Sequence, residues 1–194
     1  MKSTTLFFLL ITASISCKAQ ILPVEDYRTY IELGEGIPEN TTYIKDVNNV
    51  LNKYTGTWIG TFEGKTYEFR IKKITESRYD GDLLVDQLII HYKITNSNGA
   101  ILADNLNLPD DHPDVISGLY LGKNEVYKLQ HKGKNPQCGQ GGELQIKLKN
   151  GSLSTLYAYL FPEGDLVDIA DCPDGPYEQI FPTGSETLIL TRQL

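Results

Sequence analysis

The segment between residues 54 and 71 restricts the fold of this chain more than any other part of the sequence. Large apolar residues alternate with polar ones on both sides of a short glycine-containing turn at residues 63–65. Alternation with a period of two on both sides of such a turn is typical of an antiparallel β-hairpin. A two-residue loop would place Trp58 opposite Phe69 or Ile71 and keep the large apolar side chains on one face. A hairpin with such a loop is therefore predicted.

Short alternating segments separated by turn signals continue from this hairpin to the end of the chain. The dipeptides Asp80-Gly81, Asn98-Gly99 and Asn150-Gly151 are typical of tight turns between strands. About nine short strands separated in this way indicate an all-β domain. We predict a single antiparallel barrel of about eight to ten strands, and the alternative is a β-sandwich.

A short helix is predicted immediately before the hairpin, after a longer leader. Asp46 can cap this helix, and apolar residues follow it at helical spacing. These apolar residues are Val47, Val50, Leu51 and Tyr54. Residues 20–44 contain prolines and glycines without a sustained period, so an extended leader is predicted there. The predicted barrel domain then spans residues 45–194.

Residues 1–19 have the features of an export signal. A positive residue near the start precedes an apolar run at residues 6–11 that is too short for a permanent membrane span. Two endings are open: cleavage after the small residue Ala19, or acylation of Cys17, since the Ser-Ile-Ser-Cys ending there resembles a bacterial lipobox. Both endings place the mature protein outside the cytoplasm, in the cell envelope or beyond it. Membrane association is expected only through an anchor at Cys17.

The cysteine count agrees with an exported protein. The chain has three cysteines, and the signal region contains Cys17. Cys138 and Cys172 remain as an even pair, which predicts one disulfide, and the alternative is two buried thiols. No Cys-x-x-Cys motif or Cys/His spacing in the sequence is typical of a metal site.

The charge of the chain bears on its partners. The formal net charge is −7, and the sequence contains no cluster of basic residues. An acidic chain of this kind is unsuited to nucleic acid and to anionic membrane surfaces. We therefore expect no nucleic-acid partner.

The sequence contains no recognisable catalytic motif. Gly-x-Ser-x-Gly is absent, and His91 and His131 lie on strand patterns while His112 lies in a predicted loop. The acidic segments at residues 110–114 and 168–174 lack the spacing of a calcium loop and are interpreted as solvated turns. No catalytic residue, metal ligand or cofactor is predicted, so an enzyme is not favoured.

Two long irregular segments, residues 104–114 and 161–184, are expected to carry function. Loops of this length are uncommon in compact domains and are often functional. If both lie at one end of a barrel, they would form its rim.

The sequence resembles two families. Gly56-Thr57-Trp58 is similar to the Gly-x-Trp opening of the calycins, which include the lipocalins and fatty-acid-binding proteins. That resemblance implies a barrel whose Trp58 plugs one end beneath a late basic residue, here Arg192, although Arg192 could instead fray into solvent. The mature chain also resembles an uncharacterised family of small exported Bacteroidetes proteins, with this Gly-Thr-Trp start, Cys138 late in the chain and Pro182 before the last strand.

Three functional hypotheses follow. The first is a non-enzymatic, calycin-like binding protein for a small apolar or amphipathic ligand, because a barrel of this size can hold one small ligand or be filled by side chains. Its candidate inward-facing residues are Trp58, Phe62, Tyr67, Phe69, Tyr92, Tyr157 and Tyr159. The second is a structural or protein-interaction module of the cell envelope with a filled core. The third, a hydrolase or isomerase, has no assembled residues to support it.

Overall fold

The fold is organised around the predicted hairpin. The computed structural model describes residues 20–163, 172, 178–184 and 186–193. In the hairpin, Trp58 pairs with Phe69 and Gly60 pairs with Tyr67 across a two-residue loop, Glu63-Gly64. Both loop residues have positive φ, 47° for Glu63 and 73° for Gly64. Positive φ at both positions matches the twist of the flanking strands, so the loop fixes the predicted register.

Eight strands of the described chain form the barrel. They are β3 (Gly56–Phe62), β4 (Lys65–Asp80), β5 (Leu83–Thr95), β7 (Ile116–Leu121), β8 (Tyr127–His131), β9 (Gly142–Leu148), β10 (Thr155–Pro162) and β11 (Leu188–Arg192). Further strands, β1 (Gln20–Pro23), β2 (Thr41–Lys45) and β6 (Ile101–Asp104), extend the sheet at β5. The described residues also include one α-helix, α1 (Val24–Leu33), and 3₁₀ turns at Asn52–Tyr54, Lys123–Glu125 and Pro136–Cys138.

The barrel closes at two places. β5 pairs with β7 through Ile90 and Ile116, and the first barrel strand pairs with the last, with Gly60 opposite Leu190. All eight strands run antiparallel to their neighbours in the ring. The predicted closed antiparallel barrel is confirmed, and the sandwich alternative is wrong because closure pairs both outer strands.

The approach of β11 to β3 requires a glycine at position 60. A Cβ atom there would lie 2.1 Å from the carbonyl oxygen of Ile189, which is far inside van der Waals contact. The backbone of Ile189 therefore passes where a side chain would stand. Closure of the barrel at this point depends on the absence of that side chain.

Side chains fill the interior of the barrel. Alternate residues of each strand face inward, and Trp58, Phe69, Leu129 and Leu144 have no solvent exposure. This apolar filling is continuous from strand to strand in one buried cluster. Burial of such side chains stabilises a fold by about 1.5–3 kcal/mol each, and it is the main source of the stability of the barrel.

The segment predicted to be an extended leader forms regular secondary structure instead. It contains β1, α1 and β2, and β2 runs parallel to β5 with Ile44 beside Val85. Pro23 precedes the helix, and Gly34 follows it with a left-handed φ of 67°. Proline at the start and glycine after the end are helix boundaries, so the residues that suggested an irregular chain are the limits of a helix.

The helix predicted immediately before the hairpin is also replaced by another structure. Residues 46–51 form turns, and only Asn52–Tyr54 is helical, as a single 3₁₀ turn. Asn49 has a φ of 55°, which an α-helix does not allow. Asp46 is therefore not a helix cap; its carboxylate instead holds the turn by accepting the backbone N–H groups of Val50 at 2.7 Å and Leu51 at 3.2 Å.

Among the described residues, no helix has the length and apolar character needed to cross a lipid bilayer.

Candidate functional site

Five ring side chains meet at one end of the barrel, where β3 ends and β4 begins; this end is called the mouth. Four of these rings stand on strands and face inward: Tyr67 and Phe69 on β4, Tyr92 on β5 and His131 on β8. The fifth ring is Phe181, which belongs to the connection between β10 and β11. We call these five residues the ring cluster.

Phe181 lies at the centre of the ring cluster. The centroid of its ring is 4.9 Å from that of His131, 5.2 Å from Tyr92, 5.7 Å from Phe69 and 6.3 Å from Tyr67. The contacts with His131, Tyr92 and Phe69 are edge-to-face, the geometry that aromatic pairs favour. With 3% of its surface exposed, Phe181 closes the mouth.

We call residues 178–184, which carry Phe181, the mouth loop; hydrogen bonds to β10, to Tyr67 and to the β8–β9 loop hold it in place. The carbonyl of Pro182 accepts the N–H of Leu160 at 2.9 Å. The Tyr67 hydroxyl donates to the carbonyl of Ile180 at 3.3 Å, which is long for a hydroxyl donor. Thr183 forms an isolated bridge with Leu160. The mouth loop is thus attached to β10 at its edge.

Two glutamines connect the mouth loop to the loop between β8 and β9. Gln179 donates to the carbonyl of Gly139 at 2.7 Å and accepts the N–H of Gly141 at 3.1 Å. Gln140 donates to the carbonyl of Glu178 at 3.1 Å. The predicted disulfide between Cys138 and Cys172 is confirmed, and it joins the same β8–β9 loop to the β10–β11 connection.

His131 is a polar member of the ring cluster with a buried ring nitrogen that lacks a partner. It is 2% exposed, and its Nε2 atom is buried without a hydrogen-bond partner among the described residues. Burial lowers the pKa of His131 to about 4, although the carboxylate of Asp114 acts in the opposite direction. The imidazole is therefore neutral at pH 7, with one N–H and one lone pair. A buried ring nitrogen without a partner is suited to contact a polar group of a ligand.

Acidification should destabilise the protein through His131. Because the folded-state pKa lies below the ordinary value of 6.5, the unfolded state takes up the proton first. The free energy of unfolding therefore keeps its full value with respect to this group above pH 6.5. It falls as the pH falls toward 4, by about 3 kcal/mol in total. Urea unfolding across this range should show this slope in the wild type but not in His131→Phe. The control Tyr159→Phe should keep the slope, and an unchanged slope in His131→Phe would contradict the assignment.

Clefts surround the mouth loop. One of about 170 Å³ lies between Phe62, Tyr67 and the mouth loop, and one of about 120 Å³ is lined by His131, Gly139 and Gln140. A third, of about 90 Å³, lies beside Ile94 and Ile180. Each is smaller than a typical small-molecule site, and the ring of Phe181 lines the largest of the three.

The candidate ligand residues divide into two groups. Trp58, Tyr67, Phe69 and Tyr92 face inward and are buried, and Phe62 is half-buried beside the mouth. The prediction that Tyr157 and Tyr159 face inward is wrong, because Leu156, Ala158 and Leu160 occupy the inner face of β10. The Tyr159 hydroxyl donates instead to Gln145 on the outer wall, at 2.7 Å.

The opposite, closed end of the barrel contains Trp58 and Arg192. The guanidinium carbon of Arg192 lies 4.2 Å from the centroid of the Trp58 ring. Arg192 also donates to the carbonyls of Lys53, Thr55 and Leu153. The Trp58 indole donates to the carbonyl of Tyr54 at 2.9 Å, so the two side chains seal this end together. The alternative of a frayed Arg192 is wrong.

A separate histidine cluster lies on the outer wall. His91 is 1% exposed, and its ring nitrogens lie 3.0 Å from the carbonyl of Asn105 and 2.8 Å from Asp110. Lys72 donates to the same carboxylate at 2.7 Å. The contact with Lys72, and then that with His91, holds the pKa of Asp110 below its ordinary value. This cluster attaches residues 104–114 to the outer wall of the barrel.

Within the described part of the chain, no three His, Cys, Asp or Glu side chains are placed to hold a metal ion together. The candidate anchor Cys17 and, apart from Cys172, the acidic segment at residues 168–174 lie outside the described residues.

Comparison with known proteins identifies the family. A family of unknown function, DUF6705, matches residues 1–150. The chain belongs to this family. The prediction of an uncharacterised family is thereby confirmed. The match includes β3 to β9 with His131 and Cys138, whereas Phe181 and Arg192 lie after its last residue. No curated protein and no solved structure is detectably similar to the chain.

Two residues of the site were not among the predicted ligand residues. His131 shares the period-two pattern of Tyr127 and Leu129, which marks it as inward-facing. Phe181 lies in a polar connection, where the apolar pair Ile180-Phe181 is the signal for a side chain inserted into the core.

Proposed function

We propose that this protein is a non-enzymatic, calycin-like binding protein that takes a small amphipathic ligand at the mouth of the barrel. The apolar part of the ligand would occupy the position of the Phe181 ring, and its polar part would meet His131. One observation carries the proposal: the mouth is filled by a loop residue beside a buried histidine nitrogen without a partner.

The ring cluster offers an apolar ligand a ready surface. Its rings stand on β4, β5 and β8, so their positions do not depend on the mouth loop. A ligand that displaces Phe181 must replace the burial of one aromatic side chain, worth roughly 1.5–3 kcal/mol. It gains apolar contacts with the same rings and a hydrogen bond with His131. Phe181 is therefore a competitor of the ligand, and the structure with Phe181 inserted is the closed state.

Removal of this competitor should strengthen binding. The probe is the apolar dye N-phenyl-1-naphthylamine, whose fluorescence rises in an apolar site. Wild type should bind one dye per chain with a micromolar Kd, and Phe181→Ala should bind it about tenfold more tightly, as expected when roughly 1.4 kcal/mol of competition is lost. A fluorescence titration measures both constants.

The matched control is Phe161→Ala. Phe161 is 47% exposed on the outer wall, so its removal should leave the affinity for the dye unchanged. Because Phe181→Ala creates a cavity that could bind the dye by itself, saturable binding to wild type is the decisive result. Wild type without saturable binding, or a loss of binding in Phe161→Ala, would overturn the proposal.

We also propose that the protein is exported, with residues 1–19 as its signal. The disulfide supports an oxidising compartment. Cleavage after Ala19 would leave β1 intact, because that strand begins at Gln20. Acylation of Cys17 would leave only Lys18 and Ala19 between the lipid and β1. The mass of the purified mature protein distinguishes the two endings.

A protein-interaction role is the second candidate. Phe161, Tyr159, Tyr157 and Ile189 form an apolar stripe on the outer wall, with Ile189 opposite Tyr157 and 55% exposed. Such a stripe is typical of a surface that contacts another molecule. If the dye binds only to this stripe, the proposal of a ligand at the mouth is wrong, and the protein-interaction role takes its place.

A further inference from the structure

We infer that the polar head of the ligand is a hydroxyl or an amine and not a carboxylate. This inference rests on the proposed function, because it concerns the chemistry of the same mouth. It is carried by the unpartnered nitrogen of His131 together with the sign of the charges around the ring cluster.

The charged groups that act on the polar side chains of the ring cluster are carboxylates. Asp114 interacts electrostatically with both Tyr92 and His131. Glu63 and Glu178 act in the same way on Tyr67. Burial, followed by these charges, raises the pKa of Tyr67 and of Tyr92 to about 12 in each case. A ligand head placed among these groups experiences a negative potential.

The connection that carries Phe181 adds to this negative charge. Three acids at its described ends, Glu163, Glu178 and Glu186, line the clefts at the mouth, and Glu63 lines the same cleft as Glu178. Two lysines, Lys65 and Lys132, also line these clefts. The acidic groups outnumber these two lysines. The charges described above as acting on Tyr67, Tyr92 and His131 are all carboxylates.

The neutral imidazole of His131 offers one donor and one acceptor, and the charges around it distinguish the head groups that can use them. A hydroxyl can donate to its lone pair or accept from its N–H, and an amine can donate to the lone pair. A carboxylate can only accept, and it would have to lose its water beside Asp114. An ammonium head is favoured by the same carboxylates that disfavour an anion.

The experiment compares three competitors with the same alkyl tail. 1-Decanol, decylamine and decanoate are each used to displace N-phenyl-1-naphthylamine from the wild-type protein near neutral pH. Decanol and decylamine should displace the dye with inhibition constants at least about tenfold lower than that of decanoate. Decanoate that competes as well as the others, or failure of all three against a bound dye, overturns the inference.

Two variants connect the result to the charges at the mouth. Asp114→Asn removes the carboxylate that acts on His131. It should reduce the preference for decanol and decylamine over decanoate to about threefold. Asp82→Asn, a fully exposed acid in the β4–β5 turn, is the matched control and should keep the wild-type preference. An unchanged preference in Asp114→Asn overturns the role of this charge. If the wild type binds no dye at all, the proposed function fails, and that result is distinct from a failure of selectivity.

Discussion

Replacement of Arg192 by alanine should lower the free energy of unfolding by about 4 kcal/mol. The guanidinium donates to three backbone carbonyls and lies over the Trp58 ring, so its loss removes charge-assisted hydrogen bonds and a cation–π contact together. Trp58 is the single tryptophan of the chain. Its fluorescence during urea unfolding therefore reports directly on the closed end.

Two variants serve as controls for this prediction. Arg192→Lys keeps the charge but cannot reach three carbonyls with one ammonium, so about half of the loss is expected. Arg78→Ala removes an exposed arginine whose partner, Asp82, lies 3.9 Å away, and it should change stability by less than about 0.5 kcal/mol. A loss below about 1 kcal/mol in Arg192→Ala would show that the closed end does not depend on this side chain.

The disulfide should contribute a similar amount to stability. Cys138 and Cys172 are 34 residues apart, and closure of a loop of that length stabilises the folded state by about 4 kcal/mol in the chain-entropy model. The double variant Cys138→Ser, Cys172→Ser should therefore have a lower urea midpoint, with a somewhat larger m-value because its unfolded chain is no longer cross-linked.

Reduction of the wild-type protein provides the matched comparison. A reducing agent should lower the wild-type midpoint to that of the double variant and leave the double variant unchanged. A midpoint that reduction does not alter would mean that the bond adds nothing beyond the contacts already made by Gln140 and Gln179.

Local signals allowed much of the barrel to be predicted from the sequence. Alternation and a glycine at the turn, both of which act within a few residues, limit the partner of Trp58 to Phe69 or Ile71, and the structure shows Phe69. Closure between β3 and β11 follows from the need to pair two sheet edges. These features depend on pattern and pairing alone, so a single sequence is sufficient to predict them.

Other features required tertiary information. Helix α1 has a short apolar face, with Val24 and Tyr27 as its buried residues, and its limits at Pro23 and Gly34 are also typical of loops. Tyr157 and Tyr159 alternate as regularly as their neighbours, so only the pairing of Ala158 with Ile146 shows which face of β10 is inside. The insertion of Phe181 depends on contacts with three other strands, which no local pattern encodes.

The pairing of β3 with β11 has a consequence for the synthesis of the protein. Thr55 and Arg192 are 137 residues apart in sequence, yet a hydrogen bond joins them. Contacts between such distant residues form slowly, and a ribosome releases the final strand last. Until then β3 and β10 each present an unpaired edge, the surface through which unfinished sheets aggregate. The chain is most prone to aggregation in this interval. A truncation that removes residues 188–192 would leave both edges unpaired permanently.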